Sequence, residues 1–176
     1  IFVEFADKGL AVSINEFAEI TSLNSKVTLT GNATVSASLT LKINGETVKT
    51  ATGTQLTHDY TFTKQGNYNI EFSATSGSQT VKATAFTCVP NAPTKANRPA
   101  GIVNGIYYDK VNPTKVTLCT YAASKTAPAQ NVFVVGDFNK WTISNDYQLK
   151  QANDSAYFWI ELTGLNPGQE YAMQYV

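Results

Sequence analysis

Val132-Phe133-Val134-Val135-Gly136-Asp137-Phe138-Asn139-Lys140-Trp141 is the stretch whose reading decides the fold. Its first four residues are apolar and three of them are β-branched, which reads as a buried strand. The run ends in Gly136-Asp137-Phe138-Asn139, where glycine tolerates unusual backbone angles and Asp and Asn bond back to their own main chain. Trp141 follows just past the turn. A strand ending in a turn that presents an aromatic ring is a platform for a planar or sugar-like ligand. Working outward, further strands are expected over 106–108, 115–121, 147–149, 156–162 and 170–176, with Asn166-Pro167-Gly168 as a turn. There Pro presets φ at the second position and Gly accepts positive φ at the third.

The composition agrees with a β protein. Thr, Ser, Asn and Gly are abundant, charged residues make up 15% of the 176, and 13 basic side chains balance 13 acidic ones. A neutral chain has no electrostatic footprint for nucleic acid or an anionic membrane surface. No apolar run approaches the ~20 residues of a spanning helix. Ile1 is preceded by no Met and opens no signal-like segment, so a processed or excised chain is expected. Two readings of Cys88 and Cys119 stay open: buried free thiols, or a disulfide between domains with Cα atoms within ~7 Å.

Three prolines in 90–100 predict an extended, stiff linker. It separates a domain over 1–89 from one over 101–176. In the first, strands are expected at Ile1-Phe2-Val3-Glu4-Phe5 and Lys26-Val27-Thr28-Leu29-Thr30. Leu39, Leu41 and Ile43 share a strand face ahead of the hairpin pair Asn44-Gly45. Tyr60 and Phe62, then Tyr68, Ile70, Phe72 and Ala74, repeat the alternation. Val81, Ala83 and Ala85 continue it until the apolar phase passes to Phe86 and Cys88, which predicts a bulge. About seven short strands imply an immunoglobulin-like sandwich. Gly66-Asn67-Tyr68-Asn69-Ile70 resembles a strand of bacterial immunoglobulin-like repeats in which the Tyr forms a corner. The whole is thus read as all-β: two β-sandwich domains of immunoglobulin-like or early-set type.

Catalytic constellations are poorly supported. His58 is the single histidine, and beside Asp59 it reads as a strand surface residue. Asp137, Asp146, Asp154, Glu161 and Glu170 show no spacing that selects a glycosidase pair. Aromatics are the better lead. Strand alternation over Tyr157-Phe158-Trp159-Ile160-Glu161-Leu162 points Phe158, Ile160 and Leu162 into the core and Tyr157, Trp159 and Glu161 outward. The outward trio can face sugar or a neighbouring domain.

The pattern Val-x-Val-x-Gly-Asp-Phe-Asn-x-Trp ending at Trp141 resembles the family 48 carbohydrate-binding module, as does the run from Tyr157 through Gly164-Leu165 and Pro167-Gly168 to Glu170-Tyr171. That family is a β-sandwich found ahead of the catalytic barrel in family 13 glycoside hydrolases and in glycogen-sensing proteins. The resemblance covers 101–176. It implies that Trp141 stacks on glucose, with Asn139 and Lys140 beside it. A lysine that assists in the family is matched here by Met173, and a second Trp would lie past Val176. It also implies that the module lacks its last strand or strands, leaving an open edge.

For the chain, the resemblance implies a non-catalytic N-terminal accessory region of a starch-active hydrolase. Its partners would be α-glucan and the parent's catalytic barrel. No cofactor and no metal are expected, and the location would be periplasmic, cell-surface or secreted. Two alternatives stand beside it: a cell-surface starch-binding protein without a barrel, and a purely structural immunoglobulin-like module.

Overall fold

A computed structural model describes residues 9–153 and 156–176. The expected strand at 1–5 and the carboxylate of Asp154 lie outside the described residues. The protein is all-β, built of β-sandwich domains with curled antiparallel sheets. The chain divides into two compact units, Ile1–Val89 and Pro90–Val176.

The first unit is one sheet folded onto itself. Its strands are β1 (Val12–Ile14), β2 (Lys26–Ile43), β3 (Glu46–Thr61), β4 (Gly66–Ser76) and β5 (Gln79–Val89). Among the described residues there are five, where seven short ones were expected. The reason is length: β2 has 18 residues and β3 has 16, so each serves both halves of the unit. β3 accompanies β2 throughout, while β1 joins its first half and β4 its second. Between the halves the β2–β3 register slips from Asn32↔Gln55 to Ala37↔Gly53. Such an irregularity bends the strand and increases its twist, so the two halves come face to face.

Alternation along β2 and β4 fills the space between. Leu29, Leu39, Leu41, Ile43, Ile70, Phe72 and Ala74 are buried in one core. Gly31 marks the closest approach: a Cβ there would lie 2.3 Å from the Phe72 ring. The hairpin at Asn44-Gly45 is as the sequence predicts, with φ of 50° and 86° as a type I′ turn requires. Tyr68 forms the expected corner, its hydroxyl donating to the Lys64 carbonyl at 2.9 Å. Phe62 meets its ring edge-on at 4.8 Å.

The expected bulge near Phe86 is absent. β4 and β5 pair without interruption from Gly66↔Val89 to Ser76↔Gln79. Apolar residues change phase because both faces of the strand end are covered. The 18–21 segment lies along it, with Cys88 N–H donating to Glu19 O at 2.8 Å and Thr21 N–H to Cys88 O at 3.0 Å. Thr21 and Thr87 share a buried hydroxyl hydrogen bond of 2.8 Å beneath.

The second unit is a two-layer sandwich. One sheet has the order β6 (Lys95–Ala96), β10 (Lys150–Ala152), β11 (Tyr157–Leu162), β8 (Val116–Tyr121), β7 (Gly105–Tyr108). The other pairs β9 (Val134–Gly136) with β12 (Met173–Tyr175). Val116, Leu118, Val134, Phe158, Ile160 and Leu162 form the core between them. The Asn166-Pro167-Gly168 turn has Gly168 at φ 81° and closes with Gln169 N–H to Asn166 O at 3.2 Å. Residues 145–147 form a 3₁₀ turn rather than the start of a strand at 147–149, and the strand begins at Lys150.

The 90–100 segment does not run free. Lys95–Ala96 pairs in parallel with β10. The Asn91 amide donates to the side chains of Asn145 and Gln148, both at 3.1 Å. Prolines keep the backbone extended, and an extended backbone is what a sheet edge accepts.

Cys88 and Cys119 are buried and are not joined in a disulfide, one lying in each unit. Burial pushes the Cys88 thiol up to about 11, and raises Cys119 against the opposing effect of Arg98. Since the thiolate is the nucleophile, an aromatic disulfide reagent at about pH 8 should titrate neither thiol in the native protein and both after denaturation; rapid native labelling would contradict the burial. Gly31→Ala should lower stability by about 1–3 kcal/mol through overpacking. Adding Phe72→Leu should recover part of that loss in a urea titration followed by circular dichroism, because the cause is a single contact.

Candidate functional site

The turn after β9 is built by one amide side chain. Asn139 Oδ1 accepts from Gly136 N–H at 2.8 Å, and its Nδ2 donates to Val134 O at 3.1 Å and Thr142 O at 3.2 Å. Those three bonds cross-link the strand end, the 3₁₀ turn Asp137–Asn139 and the exit of the loop. Asn139 is therefore a scaffold residue whose amide is already engaged, not a free group awaiting a hydroxyl.

Gly136 is needed for proximity. Its φ is an ordinary extended 175°, but a Cβ would stand 2.4 Å from Ala172 O and 2.8 Å from the Phe138 ring. No side chain fits while β9 and β12 are paired. Phe138 turns toward the core, with its ring 5.5 Å from Tyr147 and 6.5 Å from Tyr171.

Lys140 and Trp141 then adopt consecutive left-handed conformations, φ 54° and 58°. For a bulky non-glycine residue this is uncommon and costs roughly 1 kcal/mol or more. The Trp141 amide donates to Gly136 O at 2.9 Å, which closes the loop on itself. The result is an indole that is 48% exposed. Its Nε1–H donates to Asp137 Oδ1 at 2.9 Å, and Asp137 Oδ2 accepts the Ala172 amide at 2.8 Å. The ring thus presents a face while its edge is held. Lys140 lies exposed beside it in sequence.

The outward trio of β11 has a different fate. Trp159 does lie on the face opposite Phe158 and Ile160, yet it is only 6% exposed. Its Nε1–H reaches Ala96 O at 3.5 Å, and Lys150 Nζ stands 4.7 Å over the ring. The expected surface Trp is covered because the 95–98 segment belongs to this unit. Tyr157 packs against Tyr121, ring centroids 4.8 Å apart and planes tilted by 53°, and carries the Arg98 guanidinium 4.2 Å above its ring. Glu161 takes a 2.6 Å ion pair with Lys115, which Asp109 also approaches at 3.8 Å. The Glu161 hydrogen bond, chiefly, holds the Lys115 ammonium above its ordinary range. Trp159, Tyr157 and Glu161 are thereby engaged within the unit rather than offered to a ligand.

Met173, the position matched to an assisting lysine, pairs with Gly136 and packs against the core. His58 and Asp59 follow one another on β3, and Asp59 bonds Lys26 at 2.7 Å and Thr28 at 2.6 Å. Among the described residues no group of three or more His, Cys, Asp or Glu could hold a metal ion, and no helix is long and apolar enough to cross a membrane. A cleft of about 710 Å³ opens between edge strand β7 and β12, floored by Ile106, Val116, Leu118, Phe138, Leu162 and Met173. Its floor is part of the core, and on its wall Lys115 pairs with Asp109 and with Glu161.

Asp137 is the residue that sequence reasoning undervalued, one among several scattered carboxylates. Its signal was local: an acid four residues ahead of Trp141 within one turn.

No family model and no curated protein matches the chain. Among solved structures it is similar to a Bacteroides uniformis β-glucuronidase, with 8% identity and a TM-score of 0.38 over 94% of this chain and 29% of that one. It is also similar to Bacteroides uniformis β-glucuronidase 3, with 10% identity and a TM-score of 0.38 over 96% of this chain and 25% of that one. The chain spans between a quarter and three-tenths of the length of those proteins. Likeness at that level assigns nothing.

Asn139→Ala should destabilise the second unit by about 2–3 kcal/mol, since it orphans a backbone N–H and two carbonyls at once. Both tryptophans lie in that unit, so a urea titration read by tryptophan fluorescence reports it, and an unchanged midpoint would refute the scaffold role.

Proposed function

We propose that this chain is a non-catalytic accessory region of an α-glucan hydrolase, which positions a catalytic barrel and holds glucan on the face of Trp141. The observation that carries the reading is the pose of that one residue. A tryptophan kept half exposed on a strained left-handed backbone, with its edge clamped, serves a purpose other than packing, because burial would have been the more stable use of the ring. Indole faces suit the C–H faces of sugar rings. The Gly-Asp-Phe-Asn-x-Trp resemblance supports α-linked glucose as the sugar and a starch-degrading parent as the setting. A periplasmic, cell-surface or secreted location goes with the proposed starch-degrading parent.

The side chains available for acid–base chemistry support a binding role. Asp137 is occupied by the Trp141 indole and the Ala172 amide, and Glu161 by Lys115.

Maltoheptaose should change tryptophan fluorescence at roughly millimolar concentration, with the signal arising from Trp141 because Trp159 is buried. Trp141→Ala should cost about 2 kcal/mol, roughly thirtyfold in affinity, and remove the signal. A wild-type protein silent to maltoheptaose, or a Trp141→Ala variant that binds as well, would sink the proposal.

A further inference from the structure

We propose that Asp137 is the positioning residue of the platform, a carboxylate clasp that holds the Trp141 indole by its edge and couples its pose to strand β12. The inference rests on the reading of Trp141 as a sugar platform. It adds how the ring is aimed and what kind of ligand it can take.

A tryptophan on an exposed turn, with two free side-chain torsions, ordinarily samples several rotamers and loses that freedom when a ligand stacks on it. Here Asp137 Oδ1 accepts the indole N–H at 2.9 Å. The carboxylate is itself fixed from the other side. Its Oδ2 accepts the Ala172 amide at 2.8 Å, and the Asp137 amide donates to Ala172 O at 3.1 Å. Ala172 immediately precedes β12, so the indole is tied through two hydrogen bonds to the strand paired with β9. Ordering the ring beforehand removes an entropic cost from binding.

The clasp also restricts ligand chemistry. The indole N–H is the one hydrogen-bond donor of a tryptophan side chain, and it is occupied. The platform therefore recognises a ligand through its ring face alone, which selects a pyranose with an uninterrupted C–H face. Hydroxyls on the ring's rim must find partners elsewhere, and the exposed neighbour Lys140 is the nearest charged group in sequence. Asparagine is not an equivalent of Asp137, because the indole and the Ala172 amide bond to different oxygens, and in asparagine one of those positions is an NH₂ donor that would face a donor.

The test uses the whole chain labelled with ¹⁵N at its indoles. Its two tryptophans give two Nε1–H resonances, assigned with Trp141→Phe. In Asp137→Ala the Trp141 indole proton should exchange with solvent about tenfold faster, and maltoheptaose affinity should fall about tenfold, measured well below the melting temperature. Asp137→Asn should fall between. A lowered melting temperature with indole exchange and maltoheptaose affinity both unchanged would overturn the clasp and leave a structural role. Should the wild-type protein not respond to maltoheptaose at all, the platform reading fails, and the clasp is judged on exchange: faster exchange in Asp137→Ala upholds it, an unchanged rate overturns it.

Discussion

The approach of β12 to Gly136 governs the second unit. Ala172 O lies where any Cβ at Gly136 would be, 2.4 Å away, so the main chains of β9 and β12 are as close as their hydrogen bonds allow. That closeness places Asp137 against the Ala172 amide and lets one carboxylate reach both a backbone donor and an indole. Asn139 then folds the loop back with three hydrogen bonds from a single side chain. The strained backbone at Lys140 and Trp141 persists because these contacts over-determine it. Remove the close approach and the turn, the clasp and the exposed ring lose their common support.

An equivalent constraint shapes the first unit by different means. There Gly31 lets the Phe72 ring sit against the β2 backbone, and a register slip in the middle of β2 and β3 folds the sheet over that contact. Each unit thus uses one glycine at a closest approach, in extended backbone rather than in a turn. A glycine read only for its conformational freedom would be misread at both places.

Local chemistry was legible in the sequence, and long-range covering was not. The Asn44-Gly45 and Pro167-Gly168 turns, the Tyr68 corner and the inward phase of Phe158, Ile160 and Leu162 all follow from residues adjacent in the chain. Two misses share one cause. The bulge expected at Phe86 and the outward-facing Trp159 each depended on what a distant segment lays against a strand. Residues 18–21 cover the end of β5, and Lys95–Ala96 joins β10 and shelters Trp159. Period-two patterning reports which face a residue occupies, not whether that face stays open. The site divides in the same way: Trp141 and its turn could be named from sequence, whereas the Asp137–Ala172 link pairs residues 35 positions apart.

Withdrawing Trp159 from the surface alters what the proposed glucan site can be. With one exposed indole, the contact proposed at Trp141 is one stacked sugar ring, and a stabilisation of about 2 kcal/mol for that contact is far from the roughly 8 kcal/mol of a micromolar complex. A platform of that strength is of little use to an isolated binding protein. Tethered to a catalytic domain it becomes useful, because a covalent link raises the effective concentration of each site toward the other to about the millimolar range. In that proposed setting a long polysaccharide would re-engage the ring repeatedly while the chemistry proceeds elsewhere, and weak stacking would let the polymer slide rather than stall. The physical economy of one pre-aimed ring therefore favours an accessory role beside an enzyme over a free-standing binder.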